Sequence, residues 1–284
     1  MKDKVGATMA RARIAKVVAF LNLKGGVGKT ALAVNFAAYC GACGLKTLLI
    51  DLDPQTNATF SCIDIEDWKK YARVSGTVAD LLGARRHTAA EDKVVDVHKI
   101  IRANVFPNVD LIPSHVDLFT VDLDLASAPA RERKLKKALS PVMGDYDVVV
   151  CDCPPNLTIP TQNALAIATH YVVPINQDFL SGIGIALLLG RVKDLADDLE
   201  NADIKLAGIV MSRVGRRSYY REASEQSIRQ EFGANVLNGK ISERTRVSEA
   251  AGLQKPIFGL DDRTASQEFT DVCRDLMARA GIAQ

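Results

Sequence analysis

Residues 22–30 read Asn22-Leu23-Lys24-Gly25-Gly26-Val27-Gly28-Lys29-Thr30, a glycine-rich loop with a lysine at each end of its core. An anionic phosphate needs several backbone N–H groups converging on one point, and glycines let the backbone come that close. An apolar run precedes the loop and a helix-forming stretch follows it, so the positive end of a helix dipole adds to the site. Lys29 supplies a charge to the β/γ-phosphates, and Thr30 a hydroxyl to Mg²⁺. The phosphate-contacting set is therefore Lys24, Gly25, Gly26, Val27, Gly28, Lys29, Thr30 and Ala31. The strict G-x-x-x-x-G-K-[ST] spacing fails at its first position, Leu23, and leaves the K-G-G-x-G-K-T variant.

Two further motifs supply carboxylates. Asp51-Leu52-Asp53-Pro54-Gln55 follows the apolar run 47–50, and its two acids leave the strand end on one side because positions i and i+2 share a face. At the carboxyl end of an open parallel sheet that side is the ligand crevice. One acid then serves the metal and the other positions water. Tyr146-Asp147-Val148-Val149-Val150-Cys151-Asp152-Cys153-Pro154-Pro155 is a second apolar strand ending in an acid, an arrangement that holds Mg²⁺ through its water shell. Pro154 and Pro155 stiffen the chain behind it.

The elements that must position these groups alternate along the chain. Apolar, β-branched runs at 16–21, 47–50, 109–112, 147–151, 171–175, 206–211 and 234–237 read as strands covered on both faces. Helical stretches at 29–40, 183–199 and 219–232 separate them. This alternation implies right-handed βαβ units in an α/β, doubly wound, mostly parallel sheet with helices on both faces. Residues 64–104 are mixed in charge and read as peripheral helices inserted between two sheet strands. The expected organisation is a flexible basic tail over 1–14 and one domain over 15–284.

The 284 residues carry 36 basic and 34 acidic side chains, a net charge of +2. That balance excludes a general nucleic-acid coat and leaves only a local patch. No run approaches the ~20 apolar residues needed to span a bilayer, and no secretory signal is legible, so the thiols are expected to be reduced in the cytoplasm. Cys40-Gly41-Ala42-Cys43 has no second pair at ligand spacing, and Cys151 and Cys153 flank Asp152, so no iron–sulfur cluster is expected.

Together Lys24-Gly25-Gly26-Val27-Gly28-Lys29-Thr30, Asp51-Leu52-Asp53-Pro54-Gln55 and Asp152-Cys153-Pro154-Pro155 resemble the core motifs of the ParA/MinD family of deviant Walker-type P-loop ATPases. The likeness continues through Val173-Pro174-Ile175, Gly208-Ile209-Val210, Arg246-Val247-Ser248-Glu249-Ala250 and Lys255-Pro256-Ile257. It implies a slow, partner-stimulated ATPase that uses ATP and Mg²⁺ and works as a nucleotide-dependent homodimer. By the same resemblance Lys24 is the signature lysine reaching the partner's phosphates, Lys29 binds nucleotide and Thr30 binds Mg²⁺. Asp53 orients the attacking water, so Lys24, Lys29 and Asp53 form the catalytic group, while Thr30, Asp51 and Asp152 serve the metal. The chain departs from the family pattern at Leu23, Ala31 and Thr56, and at Ile241-Ser242-Glu243-Arg244 in place of Ile-Pro-Arg-Asn.

Within the family the chain looks most like small Soj-like ParA partition ATPases, which bind DNA non-specifically, associate with the nucleoid when ATP-bound and answer to a ParB-like activating adaptor. Arg217 and Arg246 match the family's basic positions, and Arg216 and Arg221 extend the patch beside them. The alternatives are the same switch positioning a carboxysome or chemotaxis cluster, or a MinD-like ATPase on a membrane. The stripe Phe269, Val272, Cys273, Leu276 and Met277 more simply packs the last helix on the core, and the tail after it lacks the basic and bulky-apolar mixture of an anchor. The cluster Arg131–Lys137, written residue by residue RERKLKK, reads as a solvated helix face. No N-terminal helix-turn-helix domain is expected.

Overall fold

The computed structural model describes residues 15–84, 95–178, 181–216 and 218–283. The expected tail over 1–14, and Arg217 of the basic patch, lie outside the described residues.

Eight strands form one sheet: β1 Lys16–Phe20, β2 Thr47–Asp51, β3 Arg102–Phe106, β4 Val109–Ile112, β5 Val148–Asp152, β6 His170–Ile175, β7 Lys205–Val214 and β8 Val236–Ser242. Their spatial order is β3-β4-β2-β5-β1-β6-β7-β8. Every pairing is parallel except β3 with β4. Every residue of β2, β5 and β6 is buried, as both faces of a central parallel strand must be.

The helices are α1 Lys29–Ala42, α2 Asn57–Phe60, α3 Ile65–Val74, α4 Val78–Leu82, α5 Val97–Ile100, α6 Val121–Asp124, α7 Lys134–Leu139, α8 Ile159–Leu165, α9 Ser181–Asp198, α10 Tyr219–Phe232, α11 Thr245–Gly252 and α12 Arg263–Arg279. They cover the sheet on both sides. Successive strand residues point to opposite faces, and two separate cores result. Val17 and Ala19 of the first strand, with Leu21 just after it, pack with Leu135, Leu165, Leu188 and Ile228 on one face. Val18 and Phe20 pack with Leu32, Phe36, Phe269 and Leu276 on the other. The doubly wound expectation holds. So does that for the C-terminal stripe, since Phe269, Val272, Cys273, Leu276 and Met277 are all buried in the second core.

Three boundaries differ from the sequence reading. The interval 64–104 does hold the peripheral helices α3, α4 and α5, but it ends in β3, an antiparallel edge strand. Its first three residues are exposed, so it carries no apolar run to announce it. Asn104 and Asn108 adopt left-handed φ of 54° and 58° around the Pro107-Asn108 hairpin, a conformation asparagine tolerates better than most residues. β7 runs on to Val214 because its end pairs with β8, which itself continues to Ser242.

The chain passes from β1 outward to β2, returns through β5, and then crosses to β6 on the far side of β1. The order therefore reverses around β1, and in open α/β sheets the crevice outside such a reversal takes the ligand. The glycine loop lies there, between β1 and α1.

Candidate active site

The loop is shaped by its glycines. Gly26 and Gly28 have φ of 72° and 83°, in the left-handed region where a side chain is strained. A Cβ on Gly28 would also stand 2.9 Å from the Ser212 hydroxyl. Gly28 is the N-cap of α1, and no side chain caps the helix there. The first-turn N–H groups thus remain free for an anion. A cleft of about 1010 Å³ opens over this point, lined by Gly25–Gly26, Gly28–Ala31, Asp53, Pro155 and the ends of β7 and β8.

Lys29 is buried, and its Nζ donates to the Lys24 carbonyl at 3.2 Å. Burial lowers its pKa, while the carboxylates of Asp152 and Asp53 pull it back up. A phosphate arriving at the loop would find this cation directed at it. The side chain of Lys24 is half exposed instead and pairs with Asp178, in the loop after β6. Its own amide donates to Asn22 Oδ1 at 2.9 Å, which holds the loop's first turn.

The two strand-end acids Asp51 and Asp152 are neighbours in register across β2 and β5, yet they are used differently. Asp51 is fully buried: Oδ1 accepts the Asp53 amide at 3.1 Å, and Oδ2 accepts the Thr59 amide at 2.8 Å and its hydroxyl at 2.7 Å. Burial raises its pKa to about 7, against those hydrogen bonds. Asp51 therefore fixes the turn that presents Asp53. The turn is closed further by the Ser114 hydroxyl, which donates to the Asp53 carbonyl at 2.6 Å.

Asp152 is equally buried, and among the described residues neither of its carboxylate oxygens makes a hydrogen bond of good geometry. Burial and the nearby Asp51 push its pKa well up, and the Thr30 hydroxyl pulls it down. An orphaned buried carboxylate costs several kcal/mol, and a cation beside the Thr30 hydroxyl would satisfy it. Among the described residues no group of three or more His, Cys, Asp or Glu side chains gathers as a metal cage. Mg²⁺ asks for less: one or two carboxylates, waters and substrate phosphates. Thr30 and Asp152 fit that pattern.

The sequence reading missed the contribution of β7 and β8. The Ser212 hydroxyl donates to the Val27 carbonyl, and Arg213 Nη1 donates to the Gly26 carbonyl at 2.8 Å. Arg213 also pairs with Glu243, just beyond β8. The segment 241–244, where the chain departs from the family pattern, is tied to α12. Glu268 of α12 accepts from the Ser242 amide and hydroxyl and from Arg244, at 2.9, 2.7 and 3.1 Å.

The buried cysteines fall into two sets. Cys40 and Cys273 lie in one core and Cys151 and Cys153 in the other, so the sheet separates the two sets. Burial pushes the Cys151 thiol up to about 12 and raises Cys40, Cys153 and Cys273 as well.

Of the predicted basic residues, Arg216 is exposed, two residues past β7, and its carbonyl accepts Arg221 Nη1 at 2.8 Å. Arg246, at the start of α11, is exposed and pairs with Glu249 at 2.6 Å. Both follow the ends of adjacent strands, on the sheet edge that holds the glycine loop.

The AAA domain family matches residues 15–206. The sporulation initiation inhibitor protein Soj of Bacillus subtilis (strain 168) is 33% identical over 93% of this chain and 98% of its own. The chromosome-partitioning ATPase Soj of Treponema pallidum (strain Nichols) is 33% identical over 94% and 98%. The chain belongs to the ParA/MinD family of ATPases. Its fold also matches the solved cobyrinic acid a,c-diamide synthase of Mycobacterium smegmatis, which holds an ATP analogue and magnesium. The two share 26% identity at a TM-score of 0.75, over 92% of this chain and 93% of that one.

As a family member this chain is an ATPase, and its ligands are ATP and Mg²⁺. When bound, Mg²⁺ offsets charge on the phosphate oxygens. The chain's own residues leave the first-turn amides of α1 free, bury Lys29 beside the loop and hold Asp53 in its turn.

Proposed function

We propose that this ATPase is a ParA-type partition switch that positions DNA. ATP joins two copies face to face, Lys24 leaves Asp178 to reach the partner's phosphates, and the dimer binds DNA without sequence preference. Hydrolysis then releases it. Lys29 and the loop from Gly25 to Ala31 hold the nucleotide, Thr30 and Asp152 serve Mg²⁺, Asp51 anchors the turn, and Asp53 orients the attacking water. One domain over 15–284 carries all of this, and a ParB-like adaptor raises its turnover.

The observation that supports the reading is the shared edge. Ser212 and Arg213 touch the phosphate loop, and only three residues beyond Arg213 stands the exposed Arg216. A nucleotide-dependent change in the loop thus has a short covalent route to a cationic surface. Cationic contacts of this kind recognise the phosphate backbone, so binding should fall steeply with salt. The name of the Treponema pallidum relative, a chromosome-partitioning ATPase, points to the same role.

The test is retention on non-specific duplex DNA with Mg²⁺-ATP, with Mg²⁺-ADP and without nucleotide, over a salt series. Retention only with ATP, lost at high salt and lost in Lys29→Ala, is the expected result. Equal retention in all three states, or none in any, would overturn the reading.

A further inference from the structure

Tyr219 and Tyr220 open α10 and are 81% and 84% exposed. Their rings meet edge to face, 5.9 Å between centroids at 78°, and among the described residues each has only the other as an aromatic partner. Two large aromatic side chains left so far in water are unusual unless something covers them.

Their surroundings are cationic. Arg216 precedes them and is exposed, with no ion-pair partner among the described residues. Arg221 follows, its guanidinium laid back on the Arg216 carbonyl, so the arginines and the tyrosines form one tight turn. Two of the acids nearby are paired in place: Glu225 with Arg229 and Lys240, and Glu243 with Arg213. Glu222 in the first turn is the exception.

A lipid surface would want a broad apolar helix face of Leu, Phe or Trp. The outer face of α10 offers none, because Ile228 and Ser224 are turned inward, Phe232 packs against the core, and the exposed positions after the tyrosines are polar apart from the small Ala223. Flat aromatic faces framed by arginines suit nucleobases, since every base presents a π-face whatever the sequence.

We infer that Tyr219 and Tyr220 form a stacking platform for DNA with open base faces, such as single strands, duplex ends and unstacked steps, alongside the arginines that hold its phosphates. The inference rests on the DNA-binding reading above and adds a contact of a different physical kind. Phosphate contacts release counterions and set the salt slope; stacking leaves the slope alone. The tyrosine pair therefore contributes the same factor of affinity at every salt concentration.

The experiment compares wild type, the double variant Tyr219→Ala/Tyr220→Ala, the double variant Tyr219→Phe/Tyr220→Phe, and Arg216→Ala. Each is titrated with a single-stranded oligonucleotide and with a blunt duplex, in Mg²⁺-ATP, over a salt series. The alanine pair should lose roughly tenfold on the single strand, less on the duplex, with an unchanged slope of log affinity against log salt. The phenylalanine pair should bind like wild type. Arg216→Ala should instead lower the slope by about 1. Circular dichroism and ATP binding should be unaltered, because both side chains are in solvent.

Equal single-strand affinity in wild type and the alanine pair would overturn the platform while leaving the DNA-binding reading intact. A lowered salt slope in the alanine pair would also overturn it. Wild type that binds neither DNA would overturn both. Binding to anionic vesicles that the alanine pair loses, with DNA binding intact, would overturn the platform in favour of a lipid surface.

Discussion

Arg213 donates to the carbonyl of Gly26 at 2.8 Å across 187 positions of sequence. The contact joins the end of β7 to the loop that must receive the phosphates. Arg213 has a left-handed φ of 51°, uncommon for a long side chain, and its pairing with Glu243 across the strand ends helps hold the side chain there.

Arg213→Ala should therefore loosen the loop without emptying it. A charged donor to a carbonyl, half in solvent, is worth about 1 kcal/mol, so ATP affinity should fall roughly fivefold. Arg213→Lys should recover little, because an ammonium cannot span both acceptors as the planar fork does. Titration with a fluorescent ATP analogue reads the effect. Undiminished affinity would mean that the loop keeps its shape unaided.

Asp152→Asn tests the metal assignment. The amide keeps the volume but removes the charge from the buried carboxylate beside the Thr30 hydroxyl. A group that holds Mg²⁺ through its water shell controls metal affinity by about 10–100-fold. Nucleotide affinity of wild type should differ sharply between Mg²⁺ and EDTA, and that difference should nearly vanish in the variant. A variant that still responds fully to Mg²⁺ would remove Asp152 from the metal site.

How much of this was legible in the sequence depended on whether the signal was local. Lys29, Thr30 and Asp152 could be singled out because each lies at the end of an element, and Asp53 because it follows a continuous apolar strand by two residues. The sheet topology then brings all four together. The division of labour between Asp51 and Asp152 was not legible. It depends on Thr59, eight residues from Asp51, folding back onto that carboxylate. Arg213, Ser212 and Glu243 were missed as parts of the site for a related reason: their partners are distant in sequence, and only the parallel pairing of β7 and β8 brings them near. β3 was missed because an exposed edge strand has no apolar period. The tyrosines at 219 and 220 were read only as the start of a helix, and nothing in a sequence tells whether an aromatic side chain will find a core.

Lys24 is paired with Asp178 within one chain, yet a role across a dimer requires it to let go. The pair is 55% and 34% exposed, so breaking it costs less than about 1 kcal/mol. Asp178→Asn should strengthen ATP-dependent dimerisation by no more than a few-fold, while ATP binding to the monomer stays unchanged. Sedimentation in ATP at several protein concentrations measures the first, and nucleotide titration the second. Weaker dimerisation in Asp178→Asn would show that the carboxylate helps the dimer and does not merely restrain the lysine.

Glu225 sets how firmly α10 is held, and it makes that hold depend on pH. Its carboxylate accepts Arg229 Nε at 3.0 Å, Lys240 Nζ at 2.6 Å and Gln177 Nε2 at 2.6 Å, tying α10 to β8 and to the loop after β6. Burial pushes its pKa up, but the hydrogen bonds from Lys240 and Arg229 outweigh it and hold the group below its ordinary 4.5. A depressed carboxylate contributes stability above the unfolded value and loses it as pH falls through the folded one. Glu225→Gln should thus cost on the order of 2 kcal/mol at neutral pH, roughly 5 °C in Tm for a chain of this size. The gap to wild type should narrow as the pH drops below about 4.5, where the unfolded chain takes up the proton first. Thermal melts of both proteins from pH 7 to pH 3.5 measure it. A gap that stays constant over that range would show that the charge of Glu225 contributes nothing and that only the shape of the contact matters.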